Sequence, residues 1–213
     1  MHHNIMKKTL PNELIDTYKK FENAIISRLN DFQNTTSDII FYEFCFCIMT
    51  PQTSAKNAWH VQNKLIENDF LNTKFNPINI LTDKKHYIRF HNTKTKRLLN
   101  AIEYKKRLDE ILSLHINQYE KRKIIKTEFI GLGMKETSHF LRNIGYKNLA
   151  IIDRHILRML VLCGVLNDAI YPKNDKQYVE IEEKMIAFSD NINIDMDALD
   201  LLFFAHSNGE VLK

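Results

Sequence analysis

Leu14, Tyr18, Phe21, Ile25, Leu29 and Phe32 return at steps of three and four after Pro11. That spacing lines one face of a helix. Residues 39–49 are apolar on almost every side, which predicts a central, buried helix capped by Ser37. Thr50-Pro51-Gln52 interrupts it, because proline disfavours helical geometry in the residue before it. A third helix is expected from Thr53 to about Ile66 with Ala55, Trp59 and Ile66 inward. Residues 69–92 are less regular, and Pro77 with the run 78–81 suggests loops and one brief helix. Thr93 opens a long basic helical stretch punctuated near Leu114-His115, and Asn117 can cap a helix over 118–129.

Beyond a glycine-dense break at 130–134, a helix ends near Gly145 and another starts at Ile151-Ile152-Asp153, running to about Cys163. Two more are expected over 175–188 and 195–205. No segment alternates with period two, so the fold class is all-α with nine to eleven helices. Only 5 glycines and 4 prolines in 213 residues agree, since all-β chains need frequent turns.

Hydrophobic residues at 44% and charged residues at 26% exclude wholesale disorder. Cys45, Cys47 and Cys163 cannot form a disulfide framework or a four-cysteine metal site, and read as small buried hydrophobes. Met1-His2-His3-Asn4, leading to Lys7-Lys8, lacks the apolar core of a signal peptide. The 39–49 run is far short of the ~20 residues that span a bilayer. An intracellular protein with no membrane contact is expected.

The formal charge of +4 is unevenly spread. Residues 84–126 hold 13 Lys/Arg against 4 Asp/Glu, a net of +9 that leaves −5 elsewhere. Such a window is either a set of solvated helix faces or the electrostatic footprint of a phosphate-backbone binder. Beside it, helix, Gly131-Leu132-Gly133, helix is the pattern of a helix–hairpin–helix. Glycines there let the backbone take positive φ and approach a ligand closely, and the next helix offers unpaired N–H groups to an anion. Lys135 falls in the first turn of that helix, where the macrodipole disfavours an ammonium and so favours the neutral, nucleophilic amine. Taken alone, Lys135 reads first as an exposed lysine. Asp153 stands 18 residues further on as an N-cap, which leaves it open to a second role.

These residues carry a resemblance. Gly133-Met134-Lys135-Glu136-Thr137-Ser138-His139-Phe140 and Leu149-Ala150-Ile151-Ile152-Asp153-Arg154-His155-Ile156 resemble the archaeal-type 8-oxoguanine DNA glycosylase/AP lyases of the helix–hairpin–helix superfamily. So do Phe46-Cys47-Ile48-Met49-Thr50-Pro51-Gln52, Ile88-Arg89-Phe90-His91-Asn92 and the final Gly209-Glu210-Val211-Leu212-Lys213. The resemblance implies a bifunctional enzyme acting as a monomer on duplex DNA containing 8-oxoguanine. Lys135 would form a Schiff base with the sugar, Asp153 would assist glycosidic cleavage, and β-elimination would cut the strand on the 3′ side.

It further implies DNA contacts at Gln52, Arg89, Phe90, Gly131, Gly133 and His155, and base recognition by Lys213, His139 and Phe204. Phe204 enters as the stacking partner because Phe203-Phe204-Ala205-His206 departs from a tryptophan-containing version of that segment. Taken alone, Gln52 is a loop residue, Arg89 a surface charge and Phe90 a core aromatic, while His139 and His155 read as structural. No metal and no redox or organic cofactor is implied, although hairpin carbonyls could hold a monovalent cation. Two lobes with a cleft are implied, one of residues 50–165 carrying the hairpin and one of 1–49 with 166–213. The readings left open are the same scaffold acting on another lesion, and a non-catalytic DNA-binding module.

Overall fold

A computed structural model describes residues 9–213, and the polar stretch at Met1-His2-His3-Asn4 and Lys7-Lys8 lies outside them. Every regular element among the described residues is helical, so the chain is all-α. The order is α1 (Asn12–Gln33), α2 (Ser37–Met49), α3 (Ala55–Glu67), α4 (Phe70–Thr73), α5 (Ile78–Leu81) and α6 (His91–Glu103), followed by α7 (Lys105–Ser113) and α8 (Gln118–Glu128). The remaining four are α9 (Met134–Asn143), α10 (Arg154–Leu162), α11 (Asp175–Ile192) and α12 (Met196–Asn208). The brief helix expected at 78–81 is α5, and the excess over the expected count comes from the single-turn α4 and from a break at Tyr104, which ends α6 and starts α7.

Several boundaries follow the capping chemistry. Asn117 caps α8 as expected, its side chain accepting the Glu120 N–H at 2.9 Å. Ser54 caps α3 by accepting the Asn57 N–H at 3.2 Å, one residue beyond the expected start. Thr36, not Ser37, holds the N-cap of α2. The inward face of α3 is also rotated from expectation, with Ala58, Val61, Gln62 and Leu65 buried and Ala55, Trp59 and Ile66 only half-buried. Gln62 explains the misreading: it occupies the buried face because its amide donates to Glu43 at 2.9 Å.

The chain divides into two compact units, Phe32–Tyr146 and the described residues up to Asp31 together with Lys147–Lys213. These boundaries differ from the expected 50–165 lobe in two places. The first is α2, which is buried from Phe41 to Met49 and packs on α3, α6 and α9, so it joins the hairpin-bearing unit. Buried Glu43 ties these elements, accepting from Gln62 of α3 and from Asn143 of α9. The second is 147–165, which belongs with the C-terminal helices. There Asn148 N–H meets Asp197, Ala150 N–H meets Glu182, and Tyr178 Oη bonds both Ala150 O and Ile152 N–H. Thr17 of α1 also reaches His206 of α12, at 2.9 Å.

All three cysteines are buried thiols, as expected of small hydrophobes. Burial pushes the Cys163 thiol up to about 12 and the Cys45 thiol well above its usual value. None of the described helices is long and apolar enough to cross a membrane.

Candidate functional site

In the hairpin-bearing unit, α8 and α9 are held together by the buried Arg122, which donates to Ser138 Oγ at 3.0 Å. The connection between them turns at Gly131, where φ is +100°. A Cβ there would also sit 2.4 Å from Nε of Arg97, so the guanidinium lies directly over the hairpin. Gly133 differs from the expectation. Its φ of −91° and ψ of −171° are extended backbone that any residue adopts. Its role is as the N-cap of α9, with its N–H donated to Glu136 Oε2 at 3.1 Å and its carbonyl accepting from Thr137 Oγ1 at 2.8 Å. That donor is therefore already taken, and an anion at this helix end would rely on the others.

Lys135 is the second residue of α9, and its side chain is 20% exposed. Its Nζ lies 3.2 Å from Glu136 Oε1. Glu136 thus bridges the hairpin glycine and the lysine, supplying a counter-charge that the macrodipole argument left out. His139, one turn on, is buried at 7% exposure with its ring edge-on to Phe46, 5.4 Å between centroids. Its place is in the α2–α9 packing rather than on an open surface.

Gln52, Arg89 and Phe90 are all exposed. Phe90 is 51% exposed, which overturns its reading as a core aromatic. Arg89 lies over the Phe90 ring at 5.2 Å. Gln52 and Phe90 both hold left-handed backbone, with φ of 55° and 60°, conformations that cost a non-glycine residue about 1 kcal/mol or more. Between these two turns stands a residue that the sequence reading missed, Lys94, only 1% exposed. Its Nζ donates to Met49 O at 2.6 Å, Pro51 O at 2.7 Å and Thr53 Oγ1 at 2.9 Å. Burial pushes the Lys94 amine down to about 8, with the Arg97 and Lys135 cations adding to the shift and Glu136 opposing it.

In the other unit Asp153 caps α10. Its Oδ1 accepts both His155 N–H at 2.7 Å and Ile156 N–H at 2.9 Å, which leaves Oδ2 outside the cap. The hydrogen bonds of Tyr178, Glu182 and Asp197 to residues 148–152 fix the approach to this cap, and none of the three was foreseen. His155 was expected at DNA, but its Nε2 lies 3.1 Å from Phe203 O, so it fastens α10 to α12. Phe203 is fully buried, whereas the adjoining Phe204 is half-exposed on α12. Leu212 is buried and anchors the tail that carries half-exposed Lys213.

One metal-type cluster occurs among the described residues: ligand atoms of His60, Asp83 and His86 lie within 4.8 Å of one another. The two imidazoles stack at 3.5 Å with 13° between planes, which directs their in-plane lone pairs side by side rather than at a common point. The basic window is also less open than its composition suggests. Lys94, Lys121 and Arg122 are buried, Lys105 pairs with Asp109, and Arg107 pairs with Glu110 and Glu128.

An all-helical chain with a glycine hairpin and a lysine in the next first turn defines a protein of the helix–hairpin–helix DNA glycosylase class. A family model described as 8-oxoguanine DNA glycosylase matches residues 25–194. An 8-oxoguanine DNA glycosylase/AP lyase of Fusobacterium nucleatum subsp. nucleatum is 36% identical over 213 residues, covering 95% of this chain and 97% of the relative. The crystal structure of the Methanocaldococcus jannaschii 8-oxoguanine DNA glycosylase superposes with a TM-score of 0.82 at 28% identity, covering 100% of this chain and 98% of that one. The same archaeal enzyme in complex with a 15mer DNA containing 8-oxoguanine gives 0.80, covering 94% and 99%. The chain belongs to the 8-oxoguanine DNA glycosylase family, in its bifunctional glycosylase/AP lyase class.

Proposed function

We propose that this chain excises 8-oxoguanine from duplex DNA and then cuts the strand 3′ to the resulting abasic site. The observation that carries the reading is Lys135 at the second position of the hairpin helix, part-exposed beside Glu136. In this scheme Nζ attacks C1′, and the electron pair of the glycosidic bond leaves with the base. Loss of the amine proton and opening of the sugar ring give a Schiff base. Removal of a C2′ proton then expels the 3′ phosphate by β-elimination. Asp153 stabilises positive charge as the glycosidic bond breaks, through Oδ2, while Oδ1 keeps the cap.

Chemistry on a base requires its nucleotide out of the stack, at a cost of a few kcal/mol. Gln52 and Phe90 are assigned to the gap left behind and Arg89 to the orphaned strand. Gly131 lets a phosphate approach the hairpin. Phe204 and Lys213 are assigned to the flipped base. Neither a redox nor an organic cofactor enters these steps. Peptide carbonyls at the hairpin tip, where Ile130 is 78% exposed, are the oxygen donors that a monovalent cation takes.

The test is a product assay on a duplex carrying 8-oxoguanine opposite cytosine. Free 8-oxoguanine together with an unsaturated aldehyde at the new 3′ end is expected. Base release with an intact strand would remove Lys135 as nucleophile. An unchanged duplex that is cut when it carries a different lesion would move the substrate elsewhere on the same scaffold.

A further inference from the structure

Gln52 and Phe90 are 38 positions apart, yet one network centred on buried Lys94 joins their turns. In the first, Thr53 N–H donates to Thr50 O at 3.0 Å, with Pro51 second and Gln52 third. The third place, with φ of 55°, is one where glycine or asparagine normally sits. In the second, Phe90 is the N-cap of α6 with φ of 60°, and its carbonyl accepts the Lys94 N–H at 3.0 Å. Lys94 returns from the first turn of α6 to bind Met49 O and Pro51 O, two carbonyls flanking the start of the Gln52 turn. Its third proton goes to Thr53 Oγ1, and that oxygen also accepts the Arg89 N–H at 3.3 Å. Three acceptors around one buried Nζ are satisfied together only by a group with three N–H donors. Asn57 of α3 adds a further tie, its amide donating to Tyr87 O at 3.1 Å.

Strained backbone persists where the surroundings over-determine it, and here two strained residues share the same over-determining contacts. We propose that Lys94, acting through Thr53, is a positioning residue that holds Gln52 and Phe90 in left-handed conformations as one paired wedge. This rests on the assignment of Gln52 and Phe90 to the gap left by base extrusion. Lys94 itself touches no substrate. It sets the distance and direction between two side chains that must enter the duplex in one event, and a small misplacement of such groups is costly.

The test uses the full chain and a duplex with 2-aminopurine beside an 8-oxoguanine:cytosine pair. Fluorescence follows extrusion, single-turnover kinetics follow excision, and borohydride trapping on a ready-made abasic site reports the lysine chemistry. Lys94→Met and Thr53→Val are each expected to slow extrusion and excision by about tenfold, with trapping at the abasic site changed less than about twofold. Combining Lys94→Met with Gln52→Ala should add little to Gln52→Ala alone, as expected of residues acting as a unit. Thr53→Val carries the test if Lys94→Met does not fold, since it keeps the β-branch and removes only the bridging oxygen.

Equal losses on both substrates would make the network merely structural and overturn the proposal. Wild-type extrusion in folded Thr53→Val and Lys94→Met would overturn it too, provided that Gln52→Ala and Phe90→Ala are slow. Fast extrusion in Gln52→Ala and Phe90→Ala would instead remove the wedge assignment on which the proposal stands.

Discussion

Lys94 shows how far a side chain's neighbours can lie from it in sequence. It sits in the basic run at 84–126 and looks like a solvated charge, because its partners are two backbone carbonyls and a hydroxyl more than 40 residues upstream. Backbone acceptors leave no trace in residue types. Its pH behaviour follows from burial. The folded-state value near 8 lies below the ordinary 10.5, so between those pH values the unfolded chain holds a proton that the folded chain has lost. Stability from this group therefore rises as pH climbs from about 8 to about 10.5. Below that window both states are charged and the full desolvation cost applies. Urea unfolding at pH 8 and pH 10 should show wild type gaining stability relative to Lys94→Met, and parallel changes in the two proteins would contradict the burial argument.

Elements were more legible than their details, and the reasons are physical. The α1 stripe and the Asn117 cap are local signals, carried by residues three and four apart, and both recur in the structure as read. The phase of α3 was not legible, because Gln62 is polar and buried only through Glu43 on another helix. The segment 147–152 looked like an apolar lead into a helix. Its hold on α11 and α12 is made by Tyr178, Glu182 and Asp197, residues without any local pattern. At the hairpin both glycines were expected to have positive φ, yet only Gly131 does, and Gly133 serves as a cap.

This gives the two glycines different sensitivities. Gly131→Ala meets both a φ of +100° and the Arg97 side chain, and is expected to destabilise the α8–α9 connection by about 1–2 kcal/mol and to weaken DNA binding. Adding Arg97→Ala should recover only the steric part of the stability loss, because the backbone penalty remains. Full recovery in a denaturant titration would show that the backbone conformation is not limiting.

Across the whole molecule, the family reading was legible because several separated motifs agree, and the match over residues 25–194 covers most of the chain. Charge was read less well. Composition counts 13 cations in the basic window, but only those reaching solvent without an acid partner can displace counterions from DNA. Exposed Arg89 is such a group, whereas buried Lys121 donates to Ile111 O, Leu112 O and Leu114 O and so terminates α7. Arg89→Ala should therefore reduce the slope of log K against log salt by about 0.9. Lys121→Met should lower stability and leave the slope unchanged. A shallower slope in Lys121→Met would mean that the window acts through its bulk charge and not through particular side chains.

The central claim is that Lys135 bonds covalently to the sugar, and borohydride reduction of a protein–DNA mixture tests it most directly. Wild type on an 8-oxoguanine:cytosine duplex should yield a trapped protein–DNA adduct, and Lys135→Gln should yield none while still binding the duplex. Trapping by Lys135→Gln at the wild-type level would place the nucleophile on another residue, and absence of an adduct from active wild type would contradict the Schiff-base route.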